Sequence, residues 1–361
     1  MVGDTGIEPV TPSMSTKCST AELIALSSNF STLFKRTRRG ASPALVGLAI
    51  VGSPHHFKGF WHTVELLYSH FEQGAERVKP YRLRMPDVRT TSVVFASPHS
   101  GREYPWSFVR RSVLDERTLR SSEDAFVDQL FDFAPKHGAP LLTATYPRAW
   151  IDVNRSSDEL DPALIEGLAR QTHNPRVASG LGVVPRVVAN GRAIYRGKLT
   201  SREANTRIRD VWKPWHDAIE VLLDESHALF GEAVLIDCHS MPHEAIESLS
   251  HSRGTRPDIV LGDRFGAAAG SQIVDRIEAA FAATGLRVAR NAPFAGAFVT
   301  QHYGRPSRGQ HAVQIEIDRA LYMNEQAIRP NGNFQSFAGL MEIVTAEIAE
   351  IGRRDIPLAA E

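Results

Sequence analysis

From residue 93 onward, short apolar runs alternate with longer segments whose apolar positions recur every three to four residues. Val93-Val94-Phe95-Ala96-Ser97 is such a run, stopped by Pro98, and predicts a short buried strand. Ala233-Val234-Leu235-Ile236 and Ile259-Val260-Leu261-Gly262 have the same form. Pro140–Tyr146, Ala149–Val153, Leu286–Ala289 and His311–Ile317 are further strand candidates. Helical periodicity covers Ser122–His137, with Phe126, Leu130, Phe131 and Phe133 on its buried side and Gly138 just past its end. It also covers Ser201–Ala228, broken or kinked at Pro214, and Gly266–Thr284, with Ile273, Ile277, Ala280 and Phe281 on one face. Phe334–Ile351 is the closing helix. Strands alternating with helices of this length predict an α/β layered fold, in which ligands gather at the carboxyl edge of the sheet.

Residues 1–85 read differently. They hold Ser/Thr clusters and the basic run Lys35-Arg36-Thr37-Arg38-Arg39, with helical stretches over Thr20–Phe34 and His62–Gln73 that have too few neighbours for a core. The expectation is an extension that is disordered or weakly folded, or else a start set upstream of a true one at Met85, ahead of a catalytic domain over 86–355. The apolar stretch Ala44–Gly52 after the basic run has the layout of a signal peptide, but it lies too far from the N-terminus and lacks a small-residue cleavage pattern.

Composition narrows the classes. With 41 Lys+Arg against 41 Asp+Glu, the net charge of zero gives no reason to expect nucleic acid or an anionic membrane surface as partner. No run of 18 apolar residues suggests a membrane span. Two distant cysteines, Cys18 and Cys238, argue against a disulfide scaffold and fit a cytoplasmic location.

Four segments carry candidate chemistry. In Ser97-Pro98-His99-Ser100-Gly101 a histidine follows a strand end, with a glycine that permits a tight turn. In Asp237-Cys238-His239-Ser240-Met241-Pro242-His243, Asp237 and His239 point to the same side of a strand, so Asp237 is placed to fix the imidazole tautomer. Cys238 points the other way and reads as a small core residue, with a nucleophile or zinc ligand as the alternative. In Val313–Ile317 and its flanks, Gln314, Glu316 and Asp318 alternate with apolar residues: a solvated strand face, or a buried glutamate serving as general base. In Ile151-Asp152-Val153-Asn154-Arg155 an Asn-Arg pair follows another candidate strand, and arginine grips carboxylates through paired hydrogen bonds. Two histidines, a strand-borne glutamate and an arginine together suit a zinc amidohydrolase.

These segments, with Ile259–Arg264, Gly180-Leu181-Gly182, Arg186, His302-Tyr303-Gly304 and the run from Gln314 to Met323, resemble in order the N-formylglutamate amidohydrolases. The resemblance spans roughly residues 92 to 345. It implies a zinc carboxypeptidase-like fold, a three-layer αβα arrangement with a central mixed sheet. It also implies hydrolysis of N-formyl-L-glutamate to L-glutamate and formate, late in histidine breakdown. By the same resemblance His99 and His239 are ligands of one Zn2+ ion, with Asp124 as third ligand and Glu103 as the alternative. Glu316 is the general base, and Arg155 with Asn154 clamps a substrate carboxylate, assisted by Arg148 and Arg186. Two other readings keep the pocket: a deacylase or carboxypeptidase-like hydrolase of another N-acyl amino acid or small peptide, and a binding protein without turnover.

Overall fold

The computed structural model describes residues 78–169, 174–188, 191–247 and 256–353. The stretches Thr20–Phe34 and His62–Gln73 lie outside these residues. Seven strands form one mixed sheet in the order β1-β3-β2-β4-β7-β5-β6. They are β1 Tyr81–Arg84, β2 Val93–Ser97, β3 Leu141–Ala144, β4 Ala233–Met241, β5 Ile259–Gly262, β6 Val288–Arg290 and β7 Gln310–Asp318. The four central strands β3, β2, β4 and β7 run parallel, while β1 and β5 pair antiparallel to β3 and β7. The sheet therefore begins before residue 86, because β1 adds an edge strand from residues that pattern alone groups with the extension.

The sheet is buried on both faces, and each face has its own core. Val93, Phe95, Val234, Ile236, Cys238, Val313, Ile315 and Ile317 pack against helices α3 (Ser271–Ala282) and α5 (Phe334–Ile351). Cys238 is thus a buried core residue, as its place in the alternation predicts. Val94, Ala96, Ala233, Leu235 and Ala312 pack on the other side, against α1 (Ser201–Arg207), α2 (Lys213–Phe230) and α4 (Phe298–Tyr303). On this second face the strands turn from apolar to polar along their length: Leu235 gives way to Asp237 and His239, and Ala312 to Gln314 and Glu316. Helix α2 covers the apolar half; the polar half is left for chemistry.

Three expected elements differ. Ser122–His137 is a short helix, Val127–Leu130, followed by a 3-10 turn, Ala134–His137. Phe126 is left-handed (φ 68°), and Asp124 donates its N–H to the His99 carbonyl, so the chain cannot enter a helix at Ser122. Ala149–Val153 is buried but not a strand. Its N–H groups are used locally, by Trp150 and Ile151 on the Pro147 carbonyl, and by Asp152 on Val183. The long helix does meet an obstacle at Pro214: the five residues Ile208–Trp212 form a π-helical turn, which absorbs the proline's missing N–H and ring clash without a break.

That turn has a use. Trp212 donates its indole N–H to the Arg155 carbonyl (2.8 Å), and His216 donates Nε2–H to the Val153 carbonyl (2.9 Å). His216 Nδ1 accepts from the Tyr303 hydroxyl (2.8 Å). The irregular 150–155 segment is therefore fastened to helix α2 by its carbonyls. Among the described residues no helix is long and apolar enough to cross a membrane.

Burial holds His216 down to about 3, from an ordinary value near 6.5. The unfolded chain takes up a proton as pH falls below 6.5 while the folded chain does not, so stability is lost across the interval down to about 3. This site alone is expected to cost about 2 kcal/mol at pH 5 relative to pH 7. Urea unfolding at both pH values checks it: His216→Gln should shrink the difference by that amount, and an unchanged difference refutes the assignment.

Candidate active site

β4 and β7 pair in register so that His239 lies opposite Glu316 and Asp237 opposite Gln314. β4 runs on to Met241, so His239 sits inside a nine-residue strand rather than beyond a four-residue one. His99 arrives from the next strand, two residues past the end of β2. Its loop folds tightly against the chain near Tyr146. A Cβ on Gly101 would stand 2.1 Å from the Tyr146 carbonyl oxygen, so glycine is needed for space rather than for a left-handed backbone.

Asp124 completes a cluster. Suitable atoms of His99, Asp124 and His239, all buried, lie within 4.8 Å of one another, a group that could hold a metal ion. Asp124 Oδ2 is 2.9 Å from His239 Nδ1 and 3.4 Å from His99 Nδ1. Its Oδ1 accepts from Arg319 (2.9 Å). Its neighbour Glu123 is pinned by the Tyr104 hydroxyl and by Arg120, which fixes the approach of Asp124. Glu103, the alternative third ligand, is half exposed and paired with Arg82.

The outer nitrogens of both imidazoles face carboxylates. His99 Nε2 is 2.7 Å from Asp152 Oδ1, and His239 Nε2 is 3.0 Å from Asp237 Oδ1. Asp152 also accepts from Arg148 (2.9 Å) and from the Asn154 N–H (2.9 Å). With its Nε2 proton given to Asp152, His99 Nδ1 presents a bare lone pair. It is buried and has no hydrogen-bond partner. A lone pair facing a carboxylate oxygen inside a protein is unfavourable unless positive charge stands between them, and two imidazoles with a carboxylate are a donor set that suits zinc. The residues present therefore fit a divalent cation.

The same contacts shift the titrations of the cluster. Burial pushes Asp124 up, but the hydrogen bond from His239 and the charge of both imidazoles outweigh it and hold its carboxyl well below the usual range. Burial likewise opposes ionisation of Asp152, and His99, Arg148 and Arg155 overcome it. His239 is held well above the ordinary histidine value by Asp237 and Asp124, against the effect of burial. Glu316 goes the other way: burial, helped by Asp124, pushes it up to about 7, against the pull of His239. Gln314 donates to Glu316 Oε1 (2.8 Å), and Oε2 bonds none of the described residues.

The expected clamp residues are dispersed in role. Asn154 is fully engaged: Oδ1 accepts from the Val299 N–H, while Nδ2 reaches Asp237 (3.2 Å) and touches His239 Nε2 (2.9 Å). Arg155 is buried and hydrogen-bonded to the carbonyls of Leu181 and Asn154. Arg148 lies on Asp152, and Arg186 is paired with Asp161. Pattern reading assigned no role to Asp152, Gln314 or Arg319. Gln314 was visible in the alternation beside Glu316; Arg319 becomes apparent only once its burial against Asp124 is seen.

Comparison with known proteins agrees with this geometry. The family model described as N-formylglutamate amidohydrolase matches residues 91–323. An N-formylglutamate deformylase of Pseudomonas aeruginosa is 32% identical over 263 residues, covering 72% of this chain and 90% of that protein. One of Pseudomonas putida is 30% identical over 236 residues, covering 64% and 82%. The crystal structure of N-formylglutamate amidohydrolase from Ralstonia eutropha JMP134 is 34% identical with a TM-score of 0.71, and the match covers 76% of this chain and 99% of that one. The chain belongs to the N-formylglutamate amidohydrolase family.

Proposed function

We propose that this protein hydrolyses the amide of N-formyl-L-glutamate to L-glutamate and formate, with one Zn2+ ion held by His99, Asp124 and His239. The observation that carries this reading is the buried His-Asp-His cluster with Glu316 directly across the strand pair from His239. The names of the relatives above supply the substrate.

The chemistry supplied by zinc at such a site is Lewis-acid polarisation of a carbonyl and acidification of water. Glu316 is the proton carrier. Its Oε1 is occupied by Gln314, so Oε2 accepts the proton of the attacking water. The water oxygen bonds to the formyl carbon, the C–N bond breaks, and Oε2 delivers the proton to the departing nitrogen. A carboxyl near 7 is well matched to both halves of that transfer. Asp152 and Asp237 hold the imidazoles in orientation. Arg155, assisted by Arg148, supplies positive charge for a substrate carboxylate.

Purified protein should contain about one zinc per chain and release formate from N-formyl-L-glutamate, with the release abolished by a chelator and restored by zinc. Glu316→Gln should retain zinc and lose roughly 10²- to 10⁴-fold in kcat. Wild-type turnover in that variant on every N-acyl amino acid tested would sink the reading. Asp152→Asn should weaken zinc affinity by about 10- to 100-fold, read by chelator competition, because His99 loses its orienting carboxylate.

A further inference from the structure

We infer that Arg264 determines specificity by taking the second carboxylate of a dicarboxylic substrate, an inference that rests on the hydrolase reading above. The turn leaving β5 is unusual. Arg264 (φ 56°), Phe265 (φ 57°) and Gly266 (φ 85°) are left-handed in succession, and the first two carry side chains that disfavour that conformation. The turn is held by Asn291. Its Oδ1 accepts from the N–H groups of Asp263 (3.1 Å) and Phe265 (3.3 Å), and its Nδ2 donates to Asp263 Oδ1 (2.6 Å). Arg264 itself donates its N–H to the Ala295 carbonyl (2.8 Å). A strained backbone braced from two sides fixes the direction of one side chain.

That side chain is a half-buried guanidinium with no carboxylate partner among the described residues. Its one side-chain hydrogen bond is a long one, Nη1 to the Gly296 carbonyl at 3.5 Å. By contrast Arg148, Arg186, Arg287 and Arg319 each hold a carboxylate. The stem of Arg264 packs against Gly296, where an added Cβ would stand 3.3 Å from its Cγ. One residue on, Ala297 donates its N–H to Gln314 Oε1, and Gln314 in turn donates to Glu316. Two residues further, Val299 donates to Asn154, the neighbour of Arg155. The 295–299 segment thus joins the Glu316 strand to two arginines. Arg264 is at one end and Arg155 at the other, and both hydrogen-bond through their side chains to backbone carbonyls only. Two guanidiniums that hydrogen-bond no carboxylate, tied to the two ends of the segment that holds Gln314, suit a substrate whose amine half carries two carboxylates, each gripped by a planar fork.

The test uses Arg264→Met and Arg264→Lys, which keep a straight side chain on the strained backbone. Calorimetry measures binding of L-glutamate and of its neutral isostere L-glutamine to the zinc-loaded protein, and formate release from N-formyl-L-glutamate is assayed alongside. Wild type should prefer glutamate. Arg264→Met should lose roughly 100-fold in glutamate affinity with glutamine binding changed less than twofold, and Arg264→Lys should keep part of the preference. In turnover the loss should appear in KM rather than kcat. A wild-type preference that survives in Arg264→Met, or equal weakening of both ligands, overturns the inference. An Arg264-dependent preference for glutamate in a protein that releases no formate would support the inference while refuting the proposed reaction.

Discussion

Four carboxylates, of Asp124, Asp152, Asp237 and Glu316, are buried together at one end of a sheet, and the rest of the structure answers to that burial. Charges taken out of water are tolerated only when paired and hydrogen-bonded. Arg148 pairs with Asp152 and Arg319 with Asp124, Arg155 adds its field at Asp152, and the two imidazoles stand between the carboxylates of Asp124, Asp152 and Asp237. Asp237 and Glu316 have no arginine partner, so negative charge is in excess in the cluster, and a cation seated among His99, Asp124 and His239 would offset it while satisfying the bare nitrogen of His99. Burial, helped by the crowding that makes the site attractive to a cation, raises Glu316 into the range where a base is useful.

The sheet delivers this arrangement cheaply. One face of β4 and β7 carries apolar residues under helix α2 and then polar residues beyond it, so packing of the apolar half sets the position of the polar half. Parallel pairing in register puts His239 and Glu316 side by side on rigid strands. The loop residues are brought to that edge by hydrogen bonds between loops: Asp124 through the His99 carbonyl, and the 150–155 segment through Trp212 and His216.

What was legible in the sequence follows the same division. The strands β2, β4, β5 and β7 are visible because they are apolar runs or clean alternations, and with them come His99, His239 and Glu316. The helix expected over Ser122–His137 is absent because its first residues serve the site: Asp124 is turned inward and Phe126 takes a left-handed conformation that no periodicity reveals. Ala149–Val153 alternates like a strand because Ile151 and Val153 are buried, but its N–H groups are used in turns that also aim Asp152 at His99. Periodicity records which residues are buried. It does not record what the backbone hydrogen-bonds to, and around this site the two part company.

The places where pattern misleads are therefore informative. Phe126, Arg264, Phe265 and Asn291 are all left-handed without being glycine. Phe126 follows the Asp124 carboxylate by two residues, and the other three form one braced turn beside the wall of the site. Strain of this kind persists only where surrounding bonds over-determine it, and it serves to aim side chains that a regular helix or strand would point elsewhere. On that view Asp124 and Arg264 use one device twice: a charged side chain set beside a costly turn, once toward the cluster that fits a cation and once against Gly296, on the segment that bonds Gln314.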